Sequence, residues 1–231
     1  MKLLLTSGGV RNESIQDALV GLLGRPIEEC DALFVPTATW GHPMVGPGTP
    51  WQKVTGWHMS PMCELGWKSL GIFELTALPS LDRERWVPVL ERADALLVSG
   101  GDALYLAHWM RESGVVDLLP SLEKLVYVGV SAGSMVMTPR IGREFVNWRP
   151  PTGGDEALGL VDFSIFPHLN NEHMPENRMP VARTWASRLA IPAYAIDDRS
   201  AIVVDGSEVR VVSEGEWELL APDAEGAEHR G

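Results

Sequence analysis

Short apolar runs punctuate the chain, and longer stretches with helical spacing separate them. Residues 3–5, 32–35, 95–98 and 125–130 are continuously apolar rather than alternating, the pattern of strands covered on both faces, and 71–75 is a weaker run that includes Glu74. Between them, residues 14–23, 82–92 and 102–112 repeat apolar side chains at helical intervals, with Asn12 or Ser14 available to cap the first. This alternation predicts an α/β fold with a doubly wound, mostly parallel sheet, because right-handed crossovers place helices on both faces. Ligands of such sheets bind beyond the carboxyl ends of the strands. Three small-residue turns fall there: Ser7-Gly8-Gly9, Ser99-Gly100-Gly101 and Gly129-Val130-Ser131-Ala132-Gly133.

The last third has a different texture. Residues 162–166 read as a strand leading into Pro167-His168, and 176–190 as a helix. Residues 194–196, 200–204, 208–212 and 216–220 are spaced like short antiparallel strands, with Asp205-Gly206 as a hairpin turn. Residues 40–68 hold Trp40, Trp51, Trp57 and Trp67, and are read as a Trp-rich insertion packed on its own rings, a candidate lid. Residues 1–221 are expected to form one domain, and the polar 222–231 a flexible tail.

Composition narrows the function classes. The 231 residues are 45% hydrophobic and 22% charged, enough to bury a sizeable core. A formal net charge of −12 with no local basic cluster disfavours nucleic-acid binding. No apolar run reaches membrane-spanning length, and 3–5 is too short for a signal peptide, so no membrane partner is expected. Cys30 and Cys63 match no zinc or redox spacing and fit idle thiols in a reducing compartment, which together with the short apolar runs leads to an expected cytoplasmic location.

The sharpest chemical signal is Ser131. A serine hydroxyl needs a base to take its proton, an exposed position and a preformed oxyanion site. A strand-to-helix turn supplies the last two: it lifts the hydroxyl clear of the sheet and aims the next N–H, that of Ala132, at developing negative charge. Gly129 and Gly133 leave room for the neighbouring strand and helix. The second oxyanion donor is expected from Gly100 and Gly101, where the backbone can approach a substrate closely. Of six histidines, His168 follows a strand and opens a loop, as a base placed at the crevice would; His173 is its local competitor. His42 and His58 lie in the Trp-rich insertion, His108 on a helix and His229 in the tail. An acid should orient the imidazole. Asp198, just after an apolar strand, is favoured over Asp197, Asp155 and Asp162. The order Ser, His, Asp departs from the Ser, Asp, His order of α/β-hydrolases.

These segments resemble the dipeptidase E (aspartyl dipeptidase) and cyanophycinase family of serine peptidases. The resemblance is carried by Ala93-Asp94-Ala95-Leu96-Leu97-Val98-Ser99-Gly100-Gly101-Asp102-Ala103-Leu104-Tyr105-Leu106, by Gly129-Val130-Ser131-Ala132-Gly133-Ser134, by Phe166-Pro167-His168 and by Ala195-Ile196-Asp197-Asp198-Arg199-Ser200-Ala201. It implies a flavodoxin-like three-layer sandwich similar to class I glutamine amidotransferases, with serine in place of their cysteine. It implies peptide-bond hydrolysis through an acyl-enzyme, with no metal or cofactor, on small peptides that include dipeptides with N-terminal Asp; the chain is expected to be a monomer or homodimer. Asp198 stands where cyanophycinase-type members carry a longer Glu. Where some members place an acid downstream of the serine, this chain reads Phe145-Val146-Asn147. Arg178 is the nearest counterpart of the arginine that follows the histidine in Asp-preferring members, and a fork suited to a carboxylate. Asp102 stands where the family often has Asn, and both are expected to meet substrate. Two other readings compete: hydrolysis of another acyl or isopeptide bond, and a catalytically silent amidotransferase-like binding module.

Overall fold

The computed structural model describes residues 1–43, 46, 48–57 and 61–221. The expected tail and His58 lie outside the described residues. The chain begins with β1 (Lys2–Thr6), α1 (Glu13–Leu23), β2 (Asp31–Val35), α2 (Thr49–Val54) and β3 (Ser69–Ile72). It continues with α3 (Arg83–Arg92), β4 (Ala95–Val98), α4 (Ala103–Glu112), α5 (Val115–Leu118), β5 (Val126–Val130) and the single turn α6 (Ala132–Met135). Then come β6 (Ser164–Phe166), α7 (Met179–Leu189), β7 (Ala193–Ile196), β8 (Ser200–Asp205), β9 (Glu208–Ser213) and β10 (Trp217–Leu220). The third strand ends earlier than its expected run, because Leu75 instead starts a 3-10 turn that buries Leu75 and Leu78.

Among the described residues, seven strands form a sheet in the order β3-β2-β4-β5-β1-β8-β9. The first five are mutually parallel, and the β8–β9 hairpin joins antiparallel at β1. The expected doubly wound α/β class is therefore the observed one, with helices on both faces. Successive strand residues serve opposite layers. Leu33, Val35, Leu96 and Val98 pack with Trp86 and Leu90 of α3 and Leu104 and Ala107 of α4. Ala32, Phe34, Ala95 and Leu97 pack with Ile15, Leu19 and Leu22 of α1. Every residue of β4 and β5 is buried, which explains their lack of alternation.

The short strands at the end divide differently from the sequence expectation. β6 and β7 pair in parallel, β10 adds antiparallel to β7, and this small sheet packs on Trp185, Ala186 and Leu189 of α7. Parallel pairing has a direct consequence for the site. The carboxyl ends of β6 and β7 emerge side by side, and these ends carry His168 and Asp198.

Candidate active site

Ser131 sits between β5 and α6 at φ 51°, ψ −112°, a backbone region that costs a non-glycine residue about 1–3 kcal/mol. Hydrogen bonds hold it there. The Ser131 N–H donates to the Thr6 carbonyl at 3.0 Å, and its own carbonyl accepts from Ser134 and Met135. The elbow lies tight against β4: a Cβ at Gly133 would stand 2.3 Å from the Val98 carbonyl oxygen, so only glycine fits. His168 and Asn170 also take positive φ. Backbone strain among the described non-glycine residues is thus concentrated in the elbow and the His168 loop, with Ala190 the other instance.

The side chains form one chain of hydrogen bonds. His168 Nε2 lies 2.9 Å from Ser131 Oγ, and His168 Nδ1 lies 2.7 Å from Asp198 Oδ1. Ser7 ties the loops together. Its hydroxyl donates to Asp198 Oδ1 at 2.7 Å and accepts from the His168 N–H at 2.7 Å. Asn171 Nδ2 donates to Asp198 Oδ2 at 2.6 Å. Burial alone would raise the Asp198 carboxyl. The bond and charge of His168, helped by Ser7 and Asn171, outweigh it and hold the carboxyl well below the usual carboxylate range. Asp198 is therefore an anion against the far side of the ring, placed to stabilise an imidazolium formed when Nε2 takes the serine proton.

The other candidate acids are committed elsewhere. Asp155 is buried and pairs with Arg140 at 2.7 Å. Asp197 accepts from the Arg199 and Glu216 N–H groups and the Ser200 hydroxyl. Asp162 is exposed. His173 is also exposed, beside Glu172, and His108 packs against Trp109 and Trp148.

Two cavities meet at Ser131. The larger, about 720 Å³, is lined by Gly101, Ala132, Phe145, Phe166 and Trp185 among others. The smaller, about 330 Å³, has Phe34, Lys53, Met62, Cys63 and Gly100 in its wall. Among the described residues, no acceptor takes the Gly101 or Ala132 N–H, and both residues line the larger cavity beside Ser131. Two expected substrate contacts are not brought to these cavities. Asp102 is buried and caps α4: one oxygen accepts from the Tyr105 N–H and the other from the Trp148 N–H. Arg178 is exposed at the start of α7, where its guanidinium donates to the Pro175 carbonyl and Asn170, and it lines neither cavity.

The candidate lid also differs from its expectation. Trp51 and Trp57 pair edge to face at 4.8 Å and Trp67 donates to the Met62 carbonyl within the segment, but Trp40 donates to Glu74 outside it. The segment supplies Lys53, Met62 and Cys63 to the wall of the smaller cavity. Ser7, Asn171 and Lys53 are the neighbours of the site that sequence reasoning missed. The Ser7 turn was visible as a small-residue loop. Asn171 and Lys53 carry no pattern of their own.

The family model of peptidase family S51 matches residues 3–212. An uncharacterized peptidase of Listeria monocytogenes is 30% identical over 132 residues, 52% of this chain and 60% of that protein. Peptidase E of Streptomyces coelicolor is 30% identical over 136 residues, covering 55% and 54%. A probable alpha-aspartyl dipeptidase of Drosophila melanogaster is 28% identical over 152 residues, covering 62% and 61%. The chain thus spans about three fifths of the length of the first of these curated relatives. The crystal structure of a putative peptidase E protein from L. monocytogenes shares the fold, with a TM-score of 0.62 at 22% identity over 93% of this chain and 98% of that one. A peptidase from an acI-B1 actinobacterium does so at 0.60 and 20% identity, over 95% and 90%.

Proposed function

Because the chain belongs to peptidase family S51, we propose that it is a serine peptidase that hydrolyses short peptides through an acyl-enzyme. The observation that carries this reading is the unbroken chain from Asp198 through His168 to the strained Ser131. Ser131 Oγ attacks the scissile carbonyl while His168 Nε2 takes its proton, and Asp198 stabilises the imidazolium. The tetrahedral oxyanion is held by the Ala132 and Gly101 N–H groups. His168 then protonates the leaving amine, and water, activated by the same ring, releases the acid.

Preference for N-terminal Asp draws its support from the likeness to an alpha-aspartyl dipeptidase, since Arg178 itself lines neither cavity. Among the described residues, the lysines and arginines that do line them are Arg11, Lys53 and Arg188, the last paired with Glu144. A cytoplasmic setting is supported by two free, buried thiols, Cys30 and Cys63. No described helix is long and apolar enough to cross a membrane.

A panel of Asp-X, Glu-X and neutral dipeptides, with chromogenic esters beside them, tests the activity. The expected result is peptide turnover by the wild type and none by Ser131→Ala. Equal turnover by both proteins would exclude the mechanism, and turnover of esters alone would move the activity to another acyl bond.

A further inference from the structure

Lys53 stands on α2 in the Trp-rich segment, remote in sequence from the hydrogen-bond chain at Ser131. Its Nζ donates to the Gly100 carbonyl at 2.9 Å and to Thr39 Oγ1 at 3.1 Å. Both partners are neutral, and among the described residues no carboxylate pairs with it. Burial lowers its pKa to about 8. The nearby Cys63 thiol offers no compensating charge, because burial pushes it up to about 12. An ammonium placed this way costs folding energy. What it accomplishes is local: it grips one carbonyl.

That carbonyl belongs to the Gly100–Gly101 peptide. The unit is planar and trans, so its C=O and N–H point in opposite directions, and holding one aims the other. The Ser99 and Thr39 hydroxyls approach the same oxygen at 3.2 and 3.3 Å. Gly101 is at φ +150°, where an added Cβ would stand 2.1 Å from the Ala38 carbonyl oxygen. Gly100 abuts the nucleophile: a Cβ there would lie 3.3 Å from Ser131 Cβ. A charged donor on the carbonyl also polarises the amide, which strengthens its N–H as a donor.

We propose that Lys53 is a positioning residue for oxyanion stabilisation, holding the Gly100 carbonyl so that the Gly101 N–H is aimed at the tetrahedral intermediate. The assignment rests on the serine peptidase reading above. It makes the Trp-rich segment a support of the reacting centre through α2.

The test compares wild type, Lys53→Met, Lys53→Arg and Ser131→Ala on one dipeptide. It measures kcat, KM and the inhibition constant of a peptide aldehyde, whose serine adduct mimics the intermediate. Removing an oxyanion donor outright costs about 10²–10³ in kcat, so Lys53→Met is expected to lose about 10- to 100-fold with little change in KM. Aldehyde affinity should fall by the same factor, and Lys53→Arg should recover part of both. Should Lys53→Met fail to fold, Lys53→Arg decides: its kcat and aldehyde affinity must move together. Wild-type kcat in Lys53→Met, or a kcat loss with unchanged aldehyde affinity, overturns the assignment while leaving the peptidase reading intact. Wild-type protein without turnover that depends on Ser131 overturns that reading first, and this one with it.

Discussion

The two ends of the central sheet carry polar clusters built from similar residues and put to different uses. At the amino ends of β2, β3 and β4, Asp94 pairs with Arg25 and accepts the Asp31 N–H at 2.7 Å. Asp31 in turn takes Lys68 at 3.1 Å and the Ser69 hydroxyl at 2.7 Å. Each acid there meets a cation or a backbone donor, and the network closes on itself in solvent. At the carboxyl ends, Asp198 is sheltered, and its bonds run through His168 to a single oxygen on a strained residue. A closed surface network contributes little, since exposed ion pairs are worth about 0–1 kcal/mol. An open chain that ends on a hydroxyl is arranged to move a proton. Acidic clusters alone therefore do not identify a site; what separates these two is where the hydrogen bonds end.

Substitutions at the two ends should separate them in order of effect. Ser131→Ala and His168→Ala should each lower kcat by about 10⁴-fold or more, measured as peptide turnover, because nucleophile and base act as a unit. Asp198→Asn should cost about 10²- to 10⁴-fold, since the amide leaves the ring in the wrong tautomer. The same variant should change acid stability. The Asp198 carboxyl is depressed in the folded state, whereas in the unfolded chain it titrates near the ordinary value of about 3.9. Its stabilisation is therefore full above that value and is lost as the pH falls below it. Denaturant melts between pH 5 and pH 2 should fall less steeply for Asp198→Asn than for wild type.

Ser7→Ala comes next, at about 10- to 100-fold in kcat, because it frees both the Asp198 carboxylate and the His168 backbone from their common tie. Asp94→Asn, at the opposite end, should leave turnover unchanged and shift stability by about 1 kcal/mol or less in a melt. A large activity loss in Asp94→Asn would erase the contrast between the two ends.

Legibility in the sequence followed the range of the interactions. Four of the five parallel strands and the elbow are readable because apolar runs and small-residue turns are local patterns, whereas β3 shares only Gly71 and Ile72 with its expected run. The pairing of β6 with β7 is not readable, because short strands choose partners through contacts distant in sequence. Ser131, His168 and Asp198 were picked as a set, and the fold brings them within hydrogen-bond reach. The Ser7 turn is legible as a small-residue loop, but the ties of Ser7 and Asn171 to Asp198 are not, because they depend on contacts distant in sequence. Asp102, expected to meet substrate, stands directly before a helical run, a place that favours an N-cap, and its side chain caps α4. Arg178 was placed by likeness of order along the chain, which says nothing about the direction its side chain takes.

Covalent labelling tests the central claim most directly. The protein is treated with a fluorophosphonate and the modified residue is located by peptide mass spectrometry. The account predicts one adduct, on Ser131, formed by the wild type and lost in His168→Ala. An adduct on another residue, or none in folded wild-type protein, would contradict it.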